Sequence, residues 1–190
     1  MEMQSGFSKK ELSYMFDPTA FDNMKVVIEG ALYDKDIDGE IVIIDRNDVI
    51  NMAKMSRQFD ISFQLPHHPV MAKIEMESRL ANLAAELLSN ALQEQHAGCF
   101  VRLGFSLEHE EEIDYQTIKA ILQDTWGTDR KITFSVNQNP LEMKKTKSTL
   151  ITVEFDRLIT EDQMDDLVEM INFMMISLEQ LYLLIFVQME

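Results

Sequence analysis

Cysteine is almost absent. Cys99 stands alone, which excludes an intrachain disulfide and any CxxC metal or redox motif. A chain without disulfides fits a reducing compartment, and MEMQSGFSKKEL at the start lacks the basic-then-apolar order of a signal peptide, so a cytoplasmic location is expected. Proline (4) and glycine (6) are sparse and nowhere cluster with serine into a linker, which argues for one domain. Basic residues are scarce: 17 Lys and Arg face 33 Asp and Glu, for a formal charge of −16. Such a field repels nucleic acid and anionic lipid heads, so no direct nucleic-acid contact and no membrane contact is expected. It attracts cations and basic proteins. Also missing are GxSxG, HExxH, the P-loop and GxGxxG, and no nucleophile stands in an obvious relation to a base. No catalytic residue is therefore nominated.

What is present is a globular composition. Hydrophobic residues make up 46% and charged residues 26%, and 190 residues suffice to bury a core without metals or disulfides. The 14 methionines suit irregular core gaps or adaptable surfaces.

Patterning predicts an α+β fold. Residues 1–23 are weakly patterned and read as an arm, with Ser8 and Glu11 able to start a short helix. KVVIEGALY (25–33) and EIVIID (40–45) are rich in Val and Ile and predict a hairpin of two central strands, although Phe21, Met24, Ile28 and Leu32 also fit a helix face. Asn47 or Asp48 is a candidate cap for a short helix to about Arg57. Phe59, Ile61, Phe63 and Leu65 alternate with polar residues as in a half-buried strand.

After Pro66-His67-His68-Pro69, Met76, Leu80, Leu83, Leu87 and Ala91 predict a helix over about 70–96, ended by Gly98. Val70, Ala72, Ile74 and Met76 also alternate like a strand. A strand follows from Cys99 to Leu107, then a helix capped by Asp114 and closed at Gly127, then strands around Ile132–Val136 and Ile151–Phe155. NQNPLEMKKTK between those two strands is a loop with the densest basic cluster, Lys144, Lys145 and Lys147. One-sided alternation in most strands predicts a two-layer architecture: a mostly antiparallel or mixed sheet of about six strands with helices on one face. The unit spans 24–190, with possible pseudo-halves 24–97 and 98–190.

Two stretches carry functional expectations. DKDIDGEIVIID (34–45) resembles a calcium-binding EF-hand loop. Asp34, Asp36 and Asp38 fall at positions one, three and five, Gly39 at six, Glu40 at seven and Ile41 at eight. Asp45 at position twelve is shorter than the usual bidentate Glu. The competing reading is a solvated acidic turn. His67, His68 and His96 with Cys99 offer metal-ligand types without the spacing of a zinc site.

The second stretch is TEDQMDDLVEMINFMMISLEQLYLLIFVQME (160–190). Thr160 is a candidate cap, with Glu161, Asp162, Asp165 and Asp166 in the first turns. Leu167, Ile171, Met174, Leu178, Leu181 and Ile185 form a three–four stripe. The wet face of Asp165, Glu169, Asn172 and Glu179 ends after Gln180, leaving Leu181, Tyr182, Leu183, Leu184, Ile185, Phe186 and Val187 apolar all round. That end is expected either to enter a second subunit as a helix tip or to leave the helix and add a buried strand, with self-association through it the favoured reading. The sequence thus points to a non-catalytic, acidic interaction, regulatory or assembly protein that self-associates. The alternative is a calcium- or small-ligand-binding protein centred on 34–45. A nucleic-acid mimic is disfavoured, because the acids are dispersed over turns and helix starts.

Overall fold

A computed structural model describes residues 19–87, 96–141, 143 and 146–187. In chain order the elements are α1 (Ala20–Ile37), β1 (Val42–Asn51), β2 (Ser56–Gln64), β3 (Met71–Ser78), α2 (Leu80–Leu87), β4 (Cys99–His109), α3 (Tyr115–Trp126), β5 (Lys131–Gln138), β6 (Lys147–Ile159) and α4 (Met164–Tyr182). A 3-10 turn (Glu161–Gln163) leads into α4, and a π-helical turn (Leu183–Val187) continues it. The six strands form one antiparallel sheet in the order β1-β2-β3-β4-β6-β5, an α+β fold as the patterning predicted.

Helices cover one face. On that side Phe59, Ile61 and Phe63 of β2, Ala72, Ile74 and Met76 of β3, Val101, Leu103 and Phe105 of β4, and Ile151 and Val153 of β6 are buried. Above them lie Phe21, Met24, Ile28 and Leu32 of α1, Ile118 and Leu122 of α3, and Leu167, Ile171, Met174, Leu178 and Leu181 of α4, in one contiguous core. Each fully buried aliphatic or aromatic side chain there stabilises the fold by roughly 1.5–3 kcal/mol before entropy is counted. Gly98 fixes the entry to β4: a Cβ there would lie 2.5 Å from the Ile159 carbonyl oxygen of the neighbouring strand.

Three local expectations are corrected. Residues 25–33 are helix, not strand, and the predicted hairpin with 40–45 does not exist. Burying Phe21, Met24, Ile28 and Leu32 at three–four spacing outweighs the β propensity of Val26 and Val27, and Val26 is left 62% exposed. Thr19 caps this helix, its Oγ1 accepting from the Asp22 amide at 3.3 Å. The predicted arm boundary at residue 23 therefore falls inside α1, while residues 1–18 lie outside the described part.

The helix expected over 48–57 is instead the end of β1, a tight turn and the start of β2. Asn51 Oδ1 accepts from the amides of Ala53 and Lys54, and Asp48 is held by Lys25 rather than capping a helix. The helix expected from residue 70 starts only at Leu80. Residues 71–78 form β3, which is hydrogen-bonded on both sides, and pairing with β2 and β4 overrides helix propensity. The rest of that expectation, 88–95, lies outside the described residues, as do Lys144 and Lys145.

Candidate interaction surface

Among the described residues, the face of the sheet away from the helices is open, and its chemistry follows from strand register. Asn47 of β1 stands opposite Asp60 of β2, Asp60 opposite Glu75 of β3, and Glu75 opposite Arg102 of β4. Arg102 stands opposite Glu154 of β6, and Glu154 opposite Lys131 of β5. One polar row thus crosses all six strands. Its members are bonded to one another: Asn47 Nδ2 donates to Asp60 at 3.2 Å, Arg102 pairs with Glu75, and Lys131 Nζ meets Glu154 at 2.6 Å. Lys73 from the next row reaches Asp60 at 2.9 Å, which offsets the burial of that carboxylate. The hydrogen bond from Arg102 to Glu75 raises the arginine's pKa above its ordinary value, and Glu154 does the same for Lys131. This side of the sheet carries Asp45, Asp60, Glu75, Glu77, Glu108 and Glu154 against Lys73, Arg79, Arg102 and Lys131, so its balance is mildly acidic.

Two shallow depressions flank Arg102. One, of about 200 Å³, is bordered by Glu75, Glu77, Arg79, Phe100 and Glu154. The other, of about 250 Å³, is bordered by Lys73, Gly104, Thr133, Leu150 and Thr152. Both fall below the ~300–1,000 Å³ usual for small-molecule sites. A wider hollow of about 530 Å³ at the β5–β6 end is lined by Glu108, Asn137, Gln138, Asn139, Thr146 and Ser148, amides and hydroxyls with a single carboxylate.

The residues of the EF-hand-like spacing are not gathered at one point. Asp34 and Asp36 lie within α1, where residues two apart point roughly 200° away from each other. Asp36 Oδ1 accepts from the Ile43 amide at 3.1 Å, and Glu40 pairs with Lys35 at 3.0 Å. Asp38 is the helix C-cap, and Asp45 belongs to the open face of β1. Among the described residues no group of three or more His, Cys, Asp or Glu side chains converges on a metal-sized point.

The histidines and the cysteine have local roles. Buried His109 is satisfied on both ring nitrogens, by the Glu111 carbonyl at 2.7 Å and the Thr149 hydroxyl at 2.9 Å. His68 stacks on Tyr182, with ring centroids 4.0 Å apart. Cys99 is buried, and burial pushes its thiol up to about 12, far from the thiolate that a metal or a nucleophilic role requires.

The C-terminal end, expected to lack cover within one chain, is partly covered by it. Leu181 and Ile185 are in the core, Tyr182 lies under His68 and stacks on Phe186, and Leu184 and Phe186 are half-buried. Leu183 is 51% exposed. The seven residues continue the helix rather than adding a strand, and Val187 closes its π turn. Residues 161–186 are long and apolar enough to cross a membrane by length and composition alone, but here the Leu167–Ile185 stripe packs into the core.

The polar row was missed at the sequence level. Its members stand at the polar positions of alternating strands, a visible signal, but nothing in one strand tells which residue of another will lie opposite. The molecule thus defines an α+β protein with one open antiparallel sheet. No family model matches the sequence, and neither a curated protein nor a solved structure gives a significant match.

Proposed function

We propose that this is a non-catalytic interaction protein of the regulatory or assembly kind, and that the open face of its sheet receives a basic segment of another protein. The observation that supports this is the six-strand polar row from Asn47 to Lys131 on a face that none of the described helices covers. Arg102, Lys131 and Arg79 are already neutralised by Glu75, Glu154 and Glu77, and Lys73 pairs with Asp60, whereas Asp45 and Glu108 leave the surface with an acidic excess toward an incoming cation. A broad, shallow, charged surface suits protein contacts better than the enclosed apolar pockets that hold small molecules. Complementary charge then sets partner choice and association rate more than affinity.

The test compares three forms of the protein as bait in an extract of the native organism. These are the wild type, E75Q/E77Q/E154Q on the open face, and E169Q on the wet side of α4. The partner captured by the wild type is then titrated against each. Binding to the open-face variant should weaken tenfold or more and to E169Q should not change. Equal affinity for all three sinks the proposal.

A further inference from the structure

We infer that β1 is a self-complementary edge and pairs antiparallel with β1 of a second copy of this chain, about a twofold axis at Asn47. This rests on β1 alone and is independent of the open-face reading. Among the described residues β1 is the outer strand of the sheet, with residues 42–51 paired on one side only, so a row of backbone donors and acceptors faces outward. Charged residues often guard such edges. Here they are arranged so that two copies fit.

The register can be decided by charge. Residues directly opposite in an antiparallel pair share a face, so a twofold must pass through a residue and not between two. An axis at Asp45, Arg46 or Asp48 would set each of those charges against its own copy, and like charges directly opposite destabilise a pair. An axis at Val49 avoids that but shortens the ladder to residues 47–51. An axis at Asn47 pairs residues 44–50 and places no like charges opposite each other; Ile43, on the helix side, and Asn51, on the open side, drop out. The irregularity of β1 between Ile43 and Asp45 falls at the end of that ladder, outside its centre at 45–49.

This register also matches side chains on each face. On the helix side, Arg46 meets Asp48 of the other copy, and Ile44 at the ladder's end meets its Ile50, each contact occurring twice. On the open side, Asp45 meets Val49 and Asn47 meets itself. Ile44 and Ile50 are 48% and 58% exposed in the single chain. Arg46 already pairs with Glu29, and Asp48 with Lys25, so the crossing contacts would join two existing pairs into one network. Alongside the edge, α1 exposes Val26, Tyr33 and Ile37 on one stripe, apolar surface that a second copy's α1 can reach. Pairing of this kind joins two six-stranded sheets into one and closes after two copies, as an isologous contact must.

The experiment uses the full chain and single-cysteine substitutions. At the proposed axis two Asn47 Cα atoms come within ~5 Å, inside the disulfide range, whereas two copies of residue 49 are offset by four residues, about 14 Å. Buried Cys99 does not interfere. Mild oxidation should cross-link N47C nearly completely and V49C hardly at all. Sedimentation should give twice 22.1 kDa for the wild type and 22.1 kDa for I44K/I50K, whose substitutions are at exposed positions. A monomeric wild type overturns the inference. So does a dimer that survives I44K/I50K, or one that cross-links at 49 in preference to 47.

Discussion

Ser177→Ala tests how α3 is fastened to α4. Trp126 Nε1 donates to Ser177 Oγ at 3.0 Å, and the same hydroxyl donates to the Phe173 carbonyl at 2.9 Å. Ser177 is fully buried, and the indole is wedged edge-on between Phe155 and Phe173, each centroid 6.0 Å away. Alanine at 177 removes the acceptor and leaves a buried indole N–H with no partner. The Phe173 carbonyl loses only a second, bifurcated donor, because it lies within a helix ladder. The orphaned donor sets the magnitude: an unsatisfied buried group costs about 1–3 kcal/mol. With a urea m-value of about 2.5 kcal/mol/M, a cost near 2 kcal/mol lowers the midpoint by about 0.8 M.

Trp126 is the only tryptophan, so its fluorescence reports unfolding at the perturbed site. W126F supplies the control, keeping an aromatic ring but no N–H. In the W126F background, followed by circular dichroism, S177A should cost less than about 0.5 kcal/mol, and the coupling between the two sites should account for the difference. Equal costs in both backgrounds would falsify the argument and assign the effect to helix packing around residue 177.

Cys99 should be inert to a thiol reagent at pH 8 in the native protein and react at once in 6 M urea, because burial raises its pKa to about 12; rapid native labelling would contradict that burial. Glu86 is raised above its ordinary value, first by burial and then by the charges of Asp22 and Glu161, despite accepting from the Ala20 amide at 3.2 Å. Folding therefore favours its protonated form, so the penalty is absent below the ordinary carboxylate pKa and grows as pH rises through the raised value. E86Q should raise Tm at pH 7 and have little effect near pH 4; an advantage that persists unchanged at pH 4 refutes the assignment. His68→Ala removes the stack on Tyr182, worth about 0.5–1.5 kcal/mol, and should speed amide exchange over 181–186 more than elsewhere. Millimolar calcium should leave Tm unchanged, since Asp34, Asp36, Asp38 and Asp45 do not converge; a clear rise would show that they rearrange to bind it.

Much of the fold was written in local pattern. Alternation across Cys99–Leu107 and Ile151–Phe155, the Asp114 cap and the Leu167–Ile185 stripe each name their element, because a half-buried strand and an amphipathic helix leave distinct periods. Where two periods coexisted, locality failed. Residues 25–33 hold β-branched runs and a three–four stripe at once, and only docking α1 on α4 and β1 chose the helix. Residues 70–77 alternate inside a helix-rich stretch, and only strands waiting on both sides made them β3.

The candidate surfaces divide the same way. By itself the sequence determined the acidic balance, the single unpaired Cys99, the α+β class and the identity of the apolar C-terminal end, because composition and periodicity depend on near neighbours. Only tertiary structure decided that this end is half-covered by its own chain and that six residues from six strands form one polar row. It also put β1, with its self-matching Ile44, Arg46, Asp48 and Ile50, at the edge. Register and strand order are long-range outcomes: they come from which faces can be buried together, and no single strand contains that information.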